Sequence, residues 1–189
     1  MMKSVLIAIR PQLVEKIASG QKTIEVRKTA PQEVPFKAYI YCTIGNGVKG
    51  DYLVPSGIQC GKVIGEFICD RIEMVNAKCS NYGIDLFYHD CLTNGCLTER
   101  EIEKYFNVPE DRDLRAMKGN GYVWNISDLK IYDKPKELSE FYTKKKCNSC
   151  NKSGYESTAC MYDEDCKVPM SITRAPQSWQ YIEDLGEEE

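Results

Sequence analysis

The chain has 189 residues, with 25 Lys and Arg against 28 Asp and Glu, 42% hydrophobic residues and 10% aromatic ones. That balance suits a folded domain able to bury a core, and the length favours one domain with an appendage. Apolar runs are no longer than a strand, which excludes a transmembrane helix, and Arg10 and Pro11 break the opening MMKSVLIAIRP too early for a signal peptide, so a cytoplasmic protein is expected.

Residues 5–9, VLIAI, read as a buried strand. Pro11 can open a helix over 12–19, where Leu13, Val14 and Ile17 follow the helical stripe and Gly20 suits the stop. SGQKTIEVRK, residues 19–28, then supplies a second strand, and KAYIYCTI, residues 37–44, an alternating third. Gly45, Gly47, Gly50, Pro55 and Gly57 make the next stretch an irregular loop, placed over the mouth of a cleft. KVIGEFIC, residues 62–69, is a fourth strand running on towards Val75, and residues 76–97 read as loop.

A short helix is expected over 98–106, with Thr98 as N-cap and Glu101 at capping-box spacing. Residues 121–126 and 129–132 are strand material, 134–141 a bend or short helix, and 178–182 a final strand. Many short strands with two small helices fit an α+β fold built on a small twisted β-barrel. Three segments are expected: a barrel over 1–142, a cysteine-rich insertion over 143–170, and a closing strand with an acidic tail over 171–189.

The charge is uneven. Residues 1–50 carry Lys3, Arg10, Lys16, Lys22, Arg27, Lys28, Lys37 and Lys49 against Glu15, Glu25 and Glu33, so a basic face can meet a nucleic acid or phosphate locally. In the second strand Ile24 and Val26 are ordinary core, while the opposite face presents Thr23, Glu25 and Arg27, with Lys22 just after Gly20. That face is either a site wall or an ion-pair cluster on a sheet edge. As a triplet, Lys22, Glu25 and Arg27 are read as a site: Arg27 for bidentate contact, Lys22 as a point charge, Glu25 as an acceptor for an exocyclic amine. Tyr39, Tyr41 and Trp124 are the aromatic candidates for stacking on a splayed-out base, with burial in the core as the ordinary alternative for Trp124 and Trp179.

Gly20, Lys22, Glu25 and Arg27 together resemble the Gly-x-Lys-x-x-Glu-x-Arg motif of the ASCH (activating signal cointegrator homology) family. Ile9-Arg-Pro11 and Gly121-Tyr-Val-Trp-Asn-Ile126 are also similar to it, over most of residues 3–132, and residues 173–181 resemble the closing strand of a bacterial and phage subgroup. The resemblance implies a PUA-like barrel with a cleft beside the motif strand that accepts RNA, another single strand or a modified nucleoside. Some small members are amidohydrolases acting on acetylated cytidine, in which the counterpart of Lys22 activates a threonine three residues on. Glu25 occupies that threonine's position, and Asn94 and Gly95 stand where an assisting glutamate is expected. Binding is therefore the favoured reading. Hydrolysis by Lys22 and Glu25 is the alternative, and a protein-interaction adaptor the third.

Cys147, Cys150, Cys160 and Cys166 give C-x2-C-x9-C-x5-C among turn residues with almost no apolar ones. The reading adopted is a structural Zn²⁺ knuckle that supplies what packing cannot. The alternatives are a redox pair, one or two disulfides, or an unmetallated loop. Cys42 and Cys69 are expected to be buried small hydrophobes, and His89 a surface residue in a loop.

Overall fold

A computed structural model describes residues 2–44, 57–76, 78–108, 116–146 and 167–183. The Cys147, Cys150, Cys160 and Cys166 cluster, most of the glycine-rich loop and the end of the acidic tail lie outside those residues. No described helix is long and apolar enough to cross a membrane.

Two sheets carry the fold. The larger is assembled from β1 (Lys3–Ile9), β3 (Phe36–Cys42), β4 (Val63–Cys69), β7 (Ser127–Lys136) and β10 (Trp179–Ile182), in the order β10-β1-β3-β4-β7. Only β1 and β3 run parallel, joined through α1 (Pro11–Ala18) and β2 (Ile24–Arg27). The smaller sheet pairs β2, β6 (Asn120–Asn125) and β5 (Ile72–Asn76) in the order β2-β6-β5. A separate two-stranded ladder, β8 (Tyr142–Lys146) with β9 (Lys167–Ser171), flanks the cysteine-rich stretch.

The strand alternation expected from period-2 patterning decides which core each residue joins. On β3, Phe36, Ala38, Ile40 and Cys42 enter one core with Val5, Ile7, Ile9, Val14, Ile17 and Trp124, while Tyr39 and Tyr41 enter another with Leu6, Ala8 and Phe141. Ile24 and Val26 of β2 face a third core with Val123 and the helices α2 (Asn81–Thr93) and α3 (Glu99–Phe106). Burial pushes the Cys69 thiol up to about 12 and raises that of Cys42 as well, the behaviour of small hydrophobes rather than reactive thiols.

Three expectations are corrected. The barrel is not closed: β2 and β5 are edges of one sheet and β10 and β7 of the other. The chain passes between sheets at the β4–β5 and β6–β7 corners, where Asn125 Nδ2 donates to Asp70 Oδ1 at 2.8 Å. Residues 76–97 are not all loop, since they contain α2, capped by Ser80 Oγ accepting from the Gly83 N–H at 3.2 Å. The sequence hides this helix because its stripe is thin: Ile84, Phe87 and Cys91 are buried, but Tyr82 and Leu86 are exposed. His89 accordingly sits exposed on a helix rather than in a loop, while residues 134–141, read as a bend or short helix, hold the end of β7 and a short 3-10 helix, Leu138–Glu140.

Phe87 stacks edge-on against Phe106 at 5.6 Å, and its ring lies where a Cβ on Gly121 would come within 2.5 Å. Phe87→Ala is expected to cost about 3–5 kcal/mol in urea denaturation, as for a large core aromatic. A cost below about 1 kcal/mol would return residues 81–93 to the status of a surface loop.

Candidate functional site

The site grows from the end of α1. The Ser19 N–H donates back to Glu15 O, Gly20 takes φ +74°, and the Lys22 N–H donates to Lys16 O at 2.9 Å. This tight turn delivers Lys22 directly into β2. Because Ile24 and Val26 face the α2 and α3 core, Glu25 and Arg27 point the other way, into the gap between the sheets.

There the three charges meet. Glu25 Oε2 lies 3.3 Å from Lys22 Nζ, and Glu25 Oε1 lies 3.0 Å from Arg27 Nε. All are buried, at 2%, 4% and 8% exposure for Lys22, Glu25 and Arg27. Backbone carbonyls satisfy the cations further: Lys22 Nζ donates to Gly95 O at 2.8 Å and Arg27 Nη2 to Ala8 O at 2.7 Å. Arg27 Nη1 also donates to Ser178 Oγ at 3.3 Å. Arg27 thus spans from the edge strand β2 to the end of β1 and the start of β10, where a closed barrel would have used strand pairing.

Gly95 is required where it stands, since a Cβ would lie 2.6 Å from Cys91 O. Its segment is pinned on both sides: Thr23 N–H donates to Asn94 O at 3.0 Å, and Lys16 Nζ to Cys96 O at 3.1 Å. The position at which an assisting glutamate was sought is instead a backbone carbonyl that holds Lys22.

Two atoms of the cluster have ion-pair contacts alone. Glu25 Oε2 and Arg27 Nε are buried without an aligned hydrogen bond, their ion-pair contacts being close but poorly directed. Glu25 and Arg27 line a cleft of about 240 Å³ together with Arg10, Leu13, Thr43, Leu97, Glu101, Tyr105, Pro176 and Gln177. Glu101 caps α3, accepting at Oε2 from the Thr98 N–H and hydroxyl, both at 3.0 Å, and those bonds hold its carboxyl below the ordinary range. Its other oxygen lies 3.6 Å from Arg10 Nη2 at the rim. Burial raises the Tyr105 hydroxyl above its ordinary value, so it remains a proton donor at neutral pH.

Of the residues singled out from the sequence, the fold brings Lys22, Glu25 and Arg27 together in the cleft. Trp124 faces the same side as Glu25, its register partner, but is fully buried between Phe36 and Trp179 at ring separations of 5.2 and 5.6 Å. Tyr39 and Tyr41 are packed in the core on the opposite face of the large sheet. None of the three lines the cleft, and Thr23 is exposed outside it. The aromatic that does line it is Tyr105, four residues after Glu101 on α3; that i, i+4 spacing was the available signal. Among the described residues, no three His, Cys, Asp or Glu side chains converge as metal ligands.

Removing one member of a buried, paired set exposes the uncompensated remainder. Glu25→Ala is expected to lower unfolding free energy by about 3–5 kcal/mol, whereas Lys3→Ala, which breaks the exposed Lys3–Glu33 pair, should leave it nearly unchanged. Equal effects in chemical denaturation would mean that the cluster is solvated.

No family model matches the sequence, and no curated protein is detectably similar to it. The fold is similar to the crystal structure of ASCH from Zymomonas mobilis, with TM-score 0.55 and 16% identity over 96% of this chain and 89% of that one. Two single-residue variants of the same protein give TM-scores of 0.55 and 0.56 at 15% identity, again over 96% of this chain. The resemblance read from Gly20, Lys22, Glu25 and Arg27 therefore extends to the architecture: the chain has the ASCH fold.

Proposed function

We propose that the cleft binds one nucleobase, offered by an RNA strand or by a free or modified nucleoside. The observation that carries this reading is the buried Glu25 carboxylate on the cleft wall, flanked by fixed cations, whose Oε2 has the Lys22 ion-pair contact at 3.3 Å but no aligned hydrogen bond. A carboxylate accepts from an exocyclic amine or ring N–H, and the Arg27 guanidinium can donate to a base carbonyl or ring nitrogen. Such polar recognition discriminates strongly, because the wrong ligand leaves buried groups unpaired. The Tyr105 ring provides an apolar wall, and Arg10, exposed at the rim, is placed for a phosphate. A volume of about 240 Å³ is below that of most drug-sized pockets and suits one base.

The hydrolase alternative would have Glu25 activate water while Lys22 polarises an acyl carbonyl. Lys22 Nζ is already held by Gly95 O and Glu25, an arrangement better suited to positioning than to proton transfer. The adaptor reading draws no support at the motif, since Lys22 is buried by its own chain. Separately, Cys147, Cys150, Cys160 and Cys166 are proposed to hold a structural Zn²⁺ on the strength of their spacing. Metal analysis of protein purified without chelator should find one zinc per chain, and zinc-free folded protein would refute that assignment.

The test of base binding is a calorimetric titration with the four ribonucleosides and N4-acetylcytidine, repeated on Glu25→Gln. Saturable binding of at least one is expected, weakened about tenfold or more by the loss of a charge-assisted hydrogen bond. Absence of binding to all five would contradict the proposal, and acetate release from N4-acetylcytidine would favour the hydrolase.

A further inference from the structure

We propose that the ligand is an oligonucleotide rather than a free nucleoside, and that a second base stacks in a hollow beside the cleft formed by Trp179 and Tyr181. This rests on the base-binding reading of the cleft. The hollow is lined by Lys3, Ala30, Gln32, Trp179 and Tyr181. It is continuous in sequence with the cleft on both sides. Residues 25–27 and 176–177 line the cleft, and the same two segments continue to Ala30 and Gln32 and to Trp179 and Tyr181. Arg27 ties them together through Ser178 Oγ, midway between Gln177 and Trp179.

The register of β10 places both aromatic rings on one face. Trp179 lies opposite Ile7 and Tyr181 opposite Val5, so they project on the same side of an edge strand, roughly 6.6 Å apart along it. The inner ring is fixed: Trp179 packs on Trp124 and its indole N–H donates to Thr29 Oγ1 at 3.0 Å. The outer ring is set at 85° to it, accepts at its hydroxyl from the Gln32 N–H at 3.3 Å, and remains 41% exposed. The exposed part of the Tyr181 ring is accessible to a base, and any base has a π-face to stack on it.

The hollow has its own cation. Lys3 Nζ stands 5.9 Å from the Tyr181 ring centroid and pairs with Glu33 at 2.8 Å, both side chains being largely solvated. A pair so exposed holds weakly, leaving Lys3 able to turn to a phosphate between two bound nucleotides. An aromatic shelf with a mobile lysine is the arrangement used for single strands, whereas a free nucleoside would need only the cleft.

The experiment compares three probes on the full chain. They are the nucleoside that binds the cleft best, its 5′- and 3′-monophosphates, and the dinucleoside monophosphates joining it to adenosine on either side. One dinucleotide polarity should bind roughly tenfold more tightly than the nucleoside and more tightly than either monophosphate. Tyr181→Ala should erase that gain while leaving nucleoside affinity unchanged, and Tyr181→Phe should retain it. A dinucleotide no tighter than the nucleoside, a gain matched by a monophosphate, or a gain that survives Tyr181→Ala would overturn the second subsite while the cleft reading stands. Dinucleotide binding that depends on Tyr181 but not on Glu25 would keep the shelf and overturn the cleft; binding of no probe would remove both.

Discussion

The Glu25 carboxylate, held between Lys22 and Arg27, is the contact on which the rest of the site depends. Three charges out of water carry a large desolvation cost, and their mutual attraction offsets it only when the remaining donors are also satisfied. Here the chain provides those partners from its backbone, Gly95 O for Lys22 and Ala8 O for Arg27. The cluster therefore joins the motif strand to the turn after α2, to the end of β1 and to the start of β10. Side chains span the gap that backbone pairing leaves open.

That gap lies where the strands of the two sheets are not paired with each other. Ile24 and Val26 bind β2 to the helical core under α2 and α3, while Val5, Ile7 and Ile9 bind β1 to the core that holds Trp124. Strand periodicity then fixes where the charged side of β2 must face. Capping of α3 by Thr98 and Glu101 adds the outer wall, because the helix that starts there also carries Tyr105. Glu101 thus both caps the start of a helix and shapes the rim of the cleft.

Much of this was legible in the residues themselves. The alternation of IEVR separated Ile24 and Val26 from Glu25 and Arg27, and Thr98 with Glu101 marked α3 to within a residue. What could not be read was long-range. Nothing local tells Trp124, opposite Glu25 on β6, that Phe36 and Trp179 will enclose it, or Tyr41 that it will face the other side of the large sheet. The helix α2 escaped because only Ile84, Phe87 and Cys91 mark its buried side, and tertiary packing rather than propensity stabilises it. Barrel closure failed for a related reason: strand count is visible in a sequence, whereas the pairing of edges is decided by the corners at Asp70 and Ile126.

The buried charge cluster is proposed as the floor of a base-binding cleft. Following the Arg27 side-chain Nε–H and the Gly95 amide by NMR during a nucleoside titration tests it most directly. Both signals should shift saturably with the added nucleoside, while the Trp124 indole N–H, sealed in the core, stays in place. Shifts confined to the exposed face of Met74, Tyr82 and Leu86, with Arg27 and Gly95 unmoved, would contradict it.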